Sequence, residues 1–307
     1  MISIIMTIYK EPWEWLHSAL ESIINQSYQN IELIIVIDNP NYDDIDQLKN
    51  QLTKCNVKYI CKTNLVNVGL VSSLNYGISL STGDYIARMD SDDIACTDRL
   101  EKELEFLQKN NFDLISSDVK KIDERGNQIG NSYYTNNLMA NDIKKIEKWQ
   151  NVFWHPTWLG KRKVFEHLQG YRKIPFAEDY DFVIRALLRD YRLGQLSNQT
   201  VYKRVVSSSV SESKGLEQIL IANELAKNYR QGKVMPLNYL TKIHINSNQS
   251  NRYKLIKKKF FNRKYLSIPR KIFFIGSLGT SKIGRIFLRN VLIQKIASLK
   301  IRHRKWG

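Results

Sequence analysis

Three carboxylates fall within four residues in Asp90-Ser91-Asp92-Asp93, directly after the apolar run Tyr85–Met89. Carboxylates that close repel one another unless a cation or a donor neutralises them. At the end of an apolar strand they cannot all move out into solvent. A hard divalent ion, magnesium or manganese, suits such a set, with oxygen ligands, few protein contacts and remaining positions filled by phosphates. The same residues would also serve as a solvated acidic turn capping the helix that follows. Asp38 closes a second apolar run, Leu33–Ile37, where its carboxylate can accept from a nucleobase ring or settle a turn. Thr7, Tyr9 and Glu11 come at the end of the first run and can contact base and ribose, or supply ordinary loop polarity. Asn67-Val-Gly69 puts a glycine ahead of a helical segment that carries Asn75, a weak signal by itself.

The elements that must position these groups alternate between two periodicities. Ile2–Ile8 is a short apolar run, and Leu16, Leu20, Ile23 and Ile24 then recur at helical spacing behind Pro12. Leu33–Ile37 reads as a strand buried on both faces. Asp43–Lys54 predicts a helix, Val57–Ile60 a strand, and Val71–Leu80 a helix stopped near Gly83. Tyr85–Met89 is the next strand, Arg99–Gln108 a helix and Asp113–Ser117 a further strand. This alternation predicts an α/β fold with a mostly parallel sheet covered by helices. Ligands of such sheets bind where the strand carboxyl ends meet the loops, which is where the polar clusters fall. The second part is less regular. Asp123–Asn127 suggests a hairpin turn, Trp149–Trp158 is rich in aromatics, and Ala177–Arg189 and Leu216–Arg230 look helical around the serine-rich stretch 207–213.

Charge divides the 307-residue chain more sharply than hydrophobicity does. Of 47 Lys/Arg residues, 21 lie after Glu224, the last acidic residue, leaving 26 against 30 Asp/Glu in the front part. An acidic front and a basic tail suggest two tasks, the tail facing phospholipid, a lipid-linked diphosphate or nucleic acid. Lys257-Lys258-Lys259-Phe260-Phe261 and Lys271-Ile-Phe-Phe274 interleave charge with aromatics, and Ile283–Ile301 predicts a partly amphipathic helix. No stretch approaches the ~18–20 uninterrupted apolar residues of a membrane-spanning helix. The N-terminus reads as a strand rather than a signal peptide, and Cys55, Cys61 and Cys96 lack zinc spacing.

Taken in order, the motifs resemble glycosyltransferase family 2 with its GT-A, Rossmann-like fold. The resemblance rests on Met6-Thr-Ile-Tyr9, Ser22-Ile-Ile-Asn-Gln-Ser27, Glu32-Leu-Ile-Ile-Val-Ile-Asp38 and Asn67-Val-Gly69. It continues through Leu74-Asn75-Tyr-Gly77, Gly83-Asp-Tyr-Ile, Asp90-Ser-Asp-Asp93 and Arg99-Leu-Glu, covering about residues 1–190. It implies that Asp38 holds uracil and that Thr7, Tyr9 and Glu11 line a nucleoside pocket, with Asn67, Asn75 and Asp90 also on the nucleotide. Asp92 and Asp93 match the family's DxD element, Asp92 on ribose or metal and Asp93 on the metal, manganese or magnesium. Many members carry two aspartates where this chain has Ile37-Asp38. Phe176-Ala-Glu178-Asp179-Tyr-Asp181 resembles the family's ED motif, which implies Asp179 as general base with Glu178 on the acceptor side. As a bare pattern, Glu178-Asp179 reads first as an acidic helix N-terminus. Trp154-His155-Pro156-Thr157 corresponds to an acceptor-site strand, although His155 can instead be a packed histidine.

These readings set the expectations. Residues 1–224 form a catalytic domain, with a nucleotide part of about 1–117 and an acceptor part of about 118–224, and 225–307 form a basic, partly helical membrane-associating extension. The implied reaction is inverting transfer of a hexose or N-acetylhexosamine from a UDP-sugar to a lipid-linked saccharide acceptor in surface polysaccharide synthesis. The expected location is cytoplasmic, peripheral at an anionic inner membrane face, with no specific nucleic acid bound. A nucleic-acid-binding protein would explain the tail but not the acidic loops. A sugar nucleotidyltransferase would want a glycine-rich basic loop after the first strand, and Thr7–Trp13 has one lysine and no glycine.

Overall fold

The computed structural model describes residues 1–130, 136–206, 214–243, 245–261 and 278–302. The serine-rich stretch 207–213 and Lys271-Ile-Phe-Phe274 lie outside them. An eight-stranded mixed sheet organises the chain in the order β3-β2-β1-β4-β7-β6-β8-β5. The strands are β1 (Ile2–Ile8), β2 (Ile31–Ile37), β3 (Lys58–Thr63), β4 (Tyr85–Asp90), β5 (Ile94–Ala95), β6 (Leu114–Ile122), β7 (Leu159–Lys161) and β8 (Leu193–Arg204). β3, β2, β1 and β4 run parallel, as do β6 and β8, while the short β7 lies antiparallel between β4 and β6.

Pleating sends alternate residues of the apolar strands to opposite faces. Ile2, Ile4, Met6 and Ile8 join Leu33, Ile35 and Ile37 in a core under α1 (Trp13–Ile24), α2 (Ile45–Lys54) and α4 (Arg99–Lys109). Ile5 and Ile34 face the opposite core, covered by α3 (Leu70–Leu80), α5 (Ala140–Ile146), α6 (Arg162–His167), α7 (Glu178–Leu188) and the helix Gly215–Arg230. Burial on both faces explains why β1 and β2 read as unbroken apolar runs. At Gly77 a Cβ would stand 2.7 Å from the Ile5 side chain, so the glycine lets α3 lie close on β1.

The sheet has to curl. β5 follows β4 after three residues yet sits four places away in the strand order. Flat, those four places would span roughly 19 Å, against roughly 14 Å for the extended link. Curling brings the carboxyl ends of β4 and β8 together at the acidic turn, β5 pairing with Val201 and Tyr202.

Most front elements fall where the sequence pattern puts them. β3 is displaced toward Thr63, and β6 runs on to Ile122. The expected strand at Trp154–Thr157 is instead a 3-10 turn, His155–Thr157. Pro156 has a fixed φ and no N–H to donate to a ladder, and the strand begins at Leu159. β8 was not foreseen: it buries Gln195 and Thr200, which break its apolar alternation. Asp123–Asn127 does turn, closed by Asn127 and Gly126.

A smaller apolar cluster joins Leu216 to Tyr253, Ile256 and Phe260 of the helix Ser247–Phe261 and to Ile283 and Phe287 of the helix Lys282–Arg302. Among the described residues no helix is long and apolar enough to cross a membrane.

Behind the acidic turn lies a buried ion pair. Arg99 donates to Glu103 (3.1 Å), to the Arg88 carbonyl (2.8 Å) and to the Met89 sulfur, and Glu103 also accepts from Ser117 and Thr200. This network ties α4, β4, β6 and β8 together. Arg99→Met is expected to destabilise the fold by about 3–5 kcal/mol, because it strands a buried carboxylate. Arg99→Met combined with Glu103→Leu restores most of that loss, and urea unfolding of both variants checks the order.

Candidate active site

Thr7, Asp38 and Asp90 stand at the carboxyl ends of adjacent parallel strands, Thr7 in register between Val36 on β2 and Asp90 on β4. Ser91 secures this corner by donating to the Thr7 carbonyl (2.8 Å). Glu11 accepts from the backbone N–H groups of Tyr9 (2.7 Å) and Lys10 (3.1 Å), so the loop after β1 folds over its own carboxylate. The Tyr9 ring is exposed at the rim.

Asp38 is almost fully buried, and what holds it is the following loop. Its carboxylate accepts from the Asn64 side chain (2.8 Å) and from the backbone N–H groups of Val68 (2.9 Å) and Gly69 (2.8 Å). It thereby shapes the segment on which the exposed Asn67 sits. Asn75 is committed elsewhere: its amide donates to the Tyr171 carbonyl (2.9 Å) and accepts from the Tyr171 N–H (2.8 Å). Beside it Gly170 has a φ of +66°, and a Cβ there would collide with the Asn75 amide. Asn75 thus braces the loop that carries Tyr171.

One oxygen from each of Asp90, Asp92 and Asp93 falls within 4.8 Å of the others. Two cations from other positions meet this cluster. Arg88 pairs with Asp90, and Lys203 Nζ lies 3.4 Å from Asp90 and 3.5 Å from Asp93. Arg204 donates its backbone N–H to Asp93 (2.7 Å) and its guanidinium to the Asp92 carbonyl (2.9 Å). Burial, then Asp93 and Asp90, push the Asp92 carboxyl up to about 7. Burial also raises Asp93, to about 6, against the pull of Lys203. Asp90 goes the other way, because Arg88 and Lys203 outweigh its burial. The remaining Asp93 oxygen is buried with no hydrogen-bond partner. All-oxygen donors, one of them engaged only by the 3.5 Å ion pair to Lys203, fit a hard divalent ion, held by Asp92 and Asp93 with Asp90 beside them.

Glu178 and Asp179 open α7. Asn151 donates to Asp179 Oδ2 (2.9 Å), and the Tyr180 N–H donates to Oδ1 (2.7 Å). Burial raises both acids, Glu178 to about 8 with Asp179's charge adding, and Asp179 to about 6. Asp90 acts on both, so the two acidic groups share one electrostatic environment, with Arg88 also acting on Glu178. Asp181, one turn on, is an anchor: it is buried and paired with Arg172 and Arg185. His155 bonds the Tyr171 hydroxyl (2.9 Å) and packs against Trp158 (centroids 4.7 Å apart). Burial, then Arg88, drop its pKa to about 3, which makes it a neutral packed histidine. Trp154 donates its backbone N–H to Ser116 Oγ (2.8 Å), with Lys121 over its ring.

Sequence reasoning missed Arg88, Asn151, Tyr171 and Lys203. Arg88 carried a signal, a cation inside an apolar strand two residues before an acid. Lys203 carried none, because only the curl of the sheet brings it to the acidic turn.

Comparison with known proteins agrees with this geometry. The profile of Glycosyl transferase family 2 matches residues 3–169. An uncharacterised glycosyltransferase of Methanocaldococcus jannaschii is 34% identical over 62% of this chain and 66% of its own length, so the chain spans just under two thirds of that relative. The O-antigen biosynthesis glycosyltransferase WbnJ of Escherichia coli is 31% identical over 69% of this chain and 83% of its own. Among solved structures, S. aureus TarS 1-349 in complex with UDP-GlcNAc superposes with a TM-score of 0.60 at 15% identity, covering 98% of this chain and 91% of that one. The mannosyltransferase PcManGT of Pyrobaculum calidifontis, in complex with GDP-Man and Mn2+, gives 0.59 at 16% identity, covering 99% and 88%. With its curled, mostly parallel GT-A sheet and a profile match over more than half its length, the chain belongs to glycosyltransferase family 2.

Proposed function

We propose that the chain is an inverting, metal-dependent transferase that moves a hexose or N-acetylhexosamine from a UDP-sugar to a hydroxyl of a lipid-linked saccharide during surface polysaccharide synthesis. The observation that carries this reading is a pair of acidic groups near enough for Asp90 to act on both Glu178 and Asp179. Asp90, Asp92 and Asp93 offer oxygens to a cation, and Asp179 stands with a raised pKa across from them. The O-antigen role named for WbnJ and the UDP-GlcNAc bound by TarS support the acceptor class and the donor.

In this reading Thr7, Tyr9, Glu11 and Asp38 receive the nucleoside, and Asn67 is carried beside it by the loop that Asp38 holds. A carboxylate offers about four acceptor positions; Asp38 uses three within the protein, leaving one for a base N–H. Asp92 and Asp93 hold the divalent ion, manganese or magnesium, whose chemistry when bound is to stabilise negative charge on the departing diphosphate. Asp179 takes the proton of the acceptor hydroxyl while its oxygen bonds to the anomeric carbon and the bond from that carbon to the diphosphate breaks. Attack from the face opposite the diphosphate inverts the configuration. Asn151 keeps the Asp179 carboxylate turned for this transfer, and Trp154, His155 and Glu178 border the acceptor side.

The helix Ser247–Phe261 supports the membrane assignment. It buries Tyr253, Ile256 and Phe260 against the helices Gly215–Arg230 and Lys282–Arg302 and exposes Arg252, Lys254, Lys258 and Lys259. Basic groups near anionic lipid contribute about 1 kcal/mol each. This exposed set therefore adds to a chain segment that holds no acidic residue after Glu224.

Four outcomes check the proposal. Asp93→Ala should abolish manganese-dependent stabilisation by UDP in thermal melts, whereas Asp179→Asn should keep donor binding and lose about 10²–10⁴-fold in transfer. A wild-type rate for Asp179→Asn would require another base. The base works deprotonated, so kcat/KM of the wild type should fall as pH drops through about 6, well above the break of an ordinary aspartate, as a pH-rate profile would show. Neutralising Arg252, Lys254, Lys258 and Lys259 to glutamine should weaken sedimentation with phosphatidylserine vesicles at least tenfold, and unchanged binding would remove the membrane assignment.

A further inference from the structure

Lys203 is the cation that the proposed metal has to contend with. It comes from β8, far from the acidic turn in sequence, and its Nζ reaches Asp90 at 3.4 Å and Asp93 at 3.5 Å. Both contacts are longer than the 2.7–2.9 Å of a tight charge-assisted hydrogen bond, so the amine is attracted to the cluster without being locked into it. It is directed at the same Asp93 oxygen that lacks a hydrogen-bond partner. A divalent ion on that oxygen would sit within a few ångströms of the ammonium group, and two positive charges that close repel strongly in a partly buried site. Arg88 does not share this conflict, since it pairs with Asp90 alone among the three acids.

We propose that Lys203 makes divalent-metal binding conditional on the nucleotide diphosphate. The lysine neutralises the carboxylates when no metal is bound and weakens their hold on the free ion. A diphosphate adds negative charge that offsets both cations, so metal and nucleotide bind as a pair. This rests on the metal-dependent reading above and adds to it a residue that sets the order of binding. A lysine with only a structural role would lower stability without changing metal affinity. A lysine acting mainly on phosphate would weaken nucleotide binding and leave affinity for the free metal unchanged.

The test is manganese titration by electron paramagnetic resonance or calorimetry on the full chain, with and without UDP and, separately, GDP. The wild type should bind free manganese weakly and at least tenfold more tightly with the matching nucleotide. Lys203→Met should bind free manganese at least tenfold more tightly than wild type and lose most of the nucleotide enhancement, while melting at a lower temperature without metal. Lys203→Arg should behave as wild type, and Lys203→Gln serves if the methionine variant does not fold. Unchanged or weaker free-metal affinity in both neutral variants, or an undiminished enhancement, would overturn the role of Lys203. A wild type that binds no manganese with either nucleotide would instead overturn the metal-dependent reading itself.

Discussion

Negative charge crowded at one edge of a curled sheet is the constraint around which the rest of the structure is arranged. The three-residue link between β4 and β5 requires the sheet to fold back on itself, and the folding back delivers β8 to the acidic turn. β8 then supplies what the carboxylates need: the Lys203 ammonium group for Asp90 and Asp93, and the Arg204 N–H and guanidinium for Asp93 and the Asp92 carbonyl. Without the curl those donors would lie far from the turn, and three close carboxylates would be left with Arg88 alone.

The protein treats buried charge in two different ways. In the scaffold Glu103 is paired with Arg99 and Asp181 with Arg172 and Arg185, while buried Glu147 accepts from the Val152 N–H. In the cleft Asp92, Asp93, Glu178 and Asp179 are left with raised pKa values. An acid whose pKa is raised on folding favours the folded state while it is protonated. That contribution is lost as pH climbs from the ordinary carboxylate range through the raised value. At neutral pH the ionised fraction of these groups therefore works against stability, and the paired networks beneath them offset it. Such an arrangement is costly for a fold and useful for a site with the proposed tasks of gripping a cation and accepting a proton.

The first half of the fold was legible because its signals are local. β1 and β2 are apolar on both faces, α1 between them keeps a clean period, and the polar residues cluster at strand ends. The acidic turn and the opening of α7 were legible for the same reason. What escaped the sequence depends on residues distant along the chain. β8 hides its pattern by burying Gln195 and Thr200, whose neighbours come from α4 and β6. Lys203 is unremarkable until the sheet curls. Asn151 gains its meaning only by meeting Asp179, 28 residues away. Asn75 looked like a ligand contact because it follows Gly69 on α3, whereas its partner is the backbone of Tyr171, 96 residues on.

The position of Asp38 shows how one motif residue can serve the fold and still leave room for recognition. A carboxylate bound to nothing but a nucleobase would be a flexible, solvated acceptor with little preference among rings. Here three donors from residues 64–69 fix its plane, and the same three bonds fix the loop that faces it. In the proposed pocket, selectivity for a base therefore belongs to the pair, a pinned carboxylate and the backbone it pins. TarS, solved with UDP-GlcNAc, and PcManGT, solved with GDP-Man, share this fold while binding different bases. A shared fold thus leaves the choice of base to other features. In this chain the loop after β3 is the one tied directly to the residue proposed to read the ring.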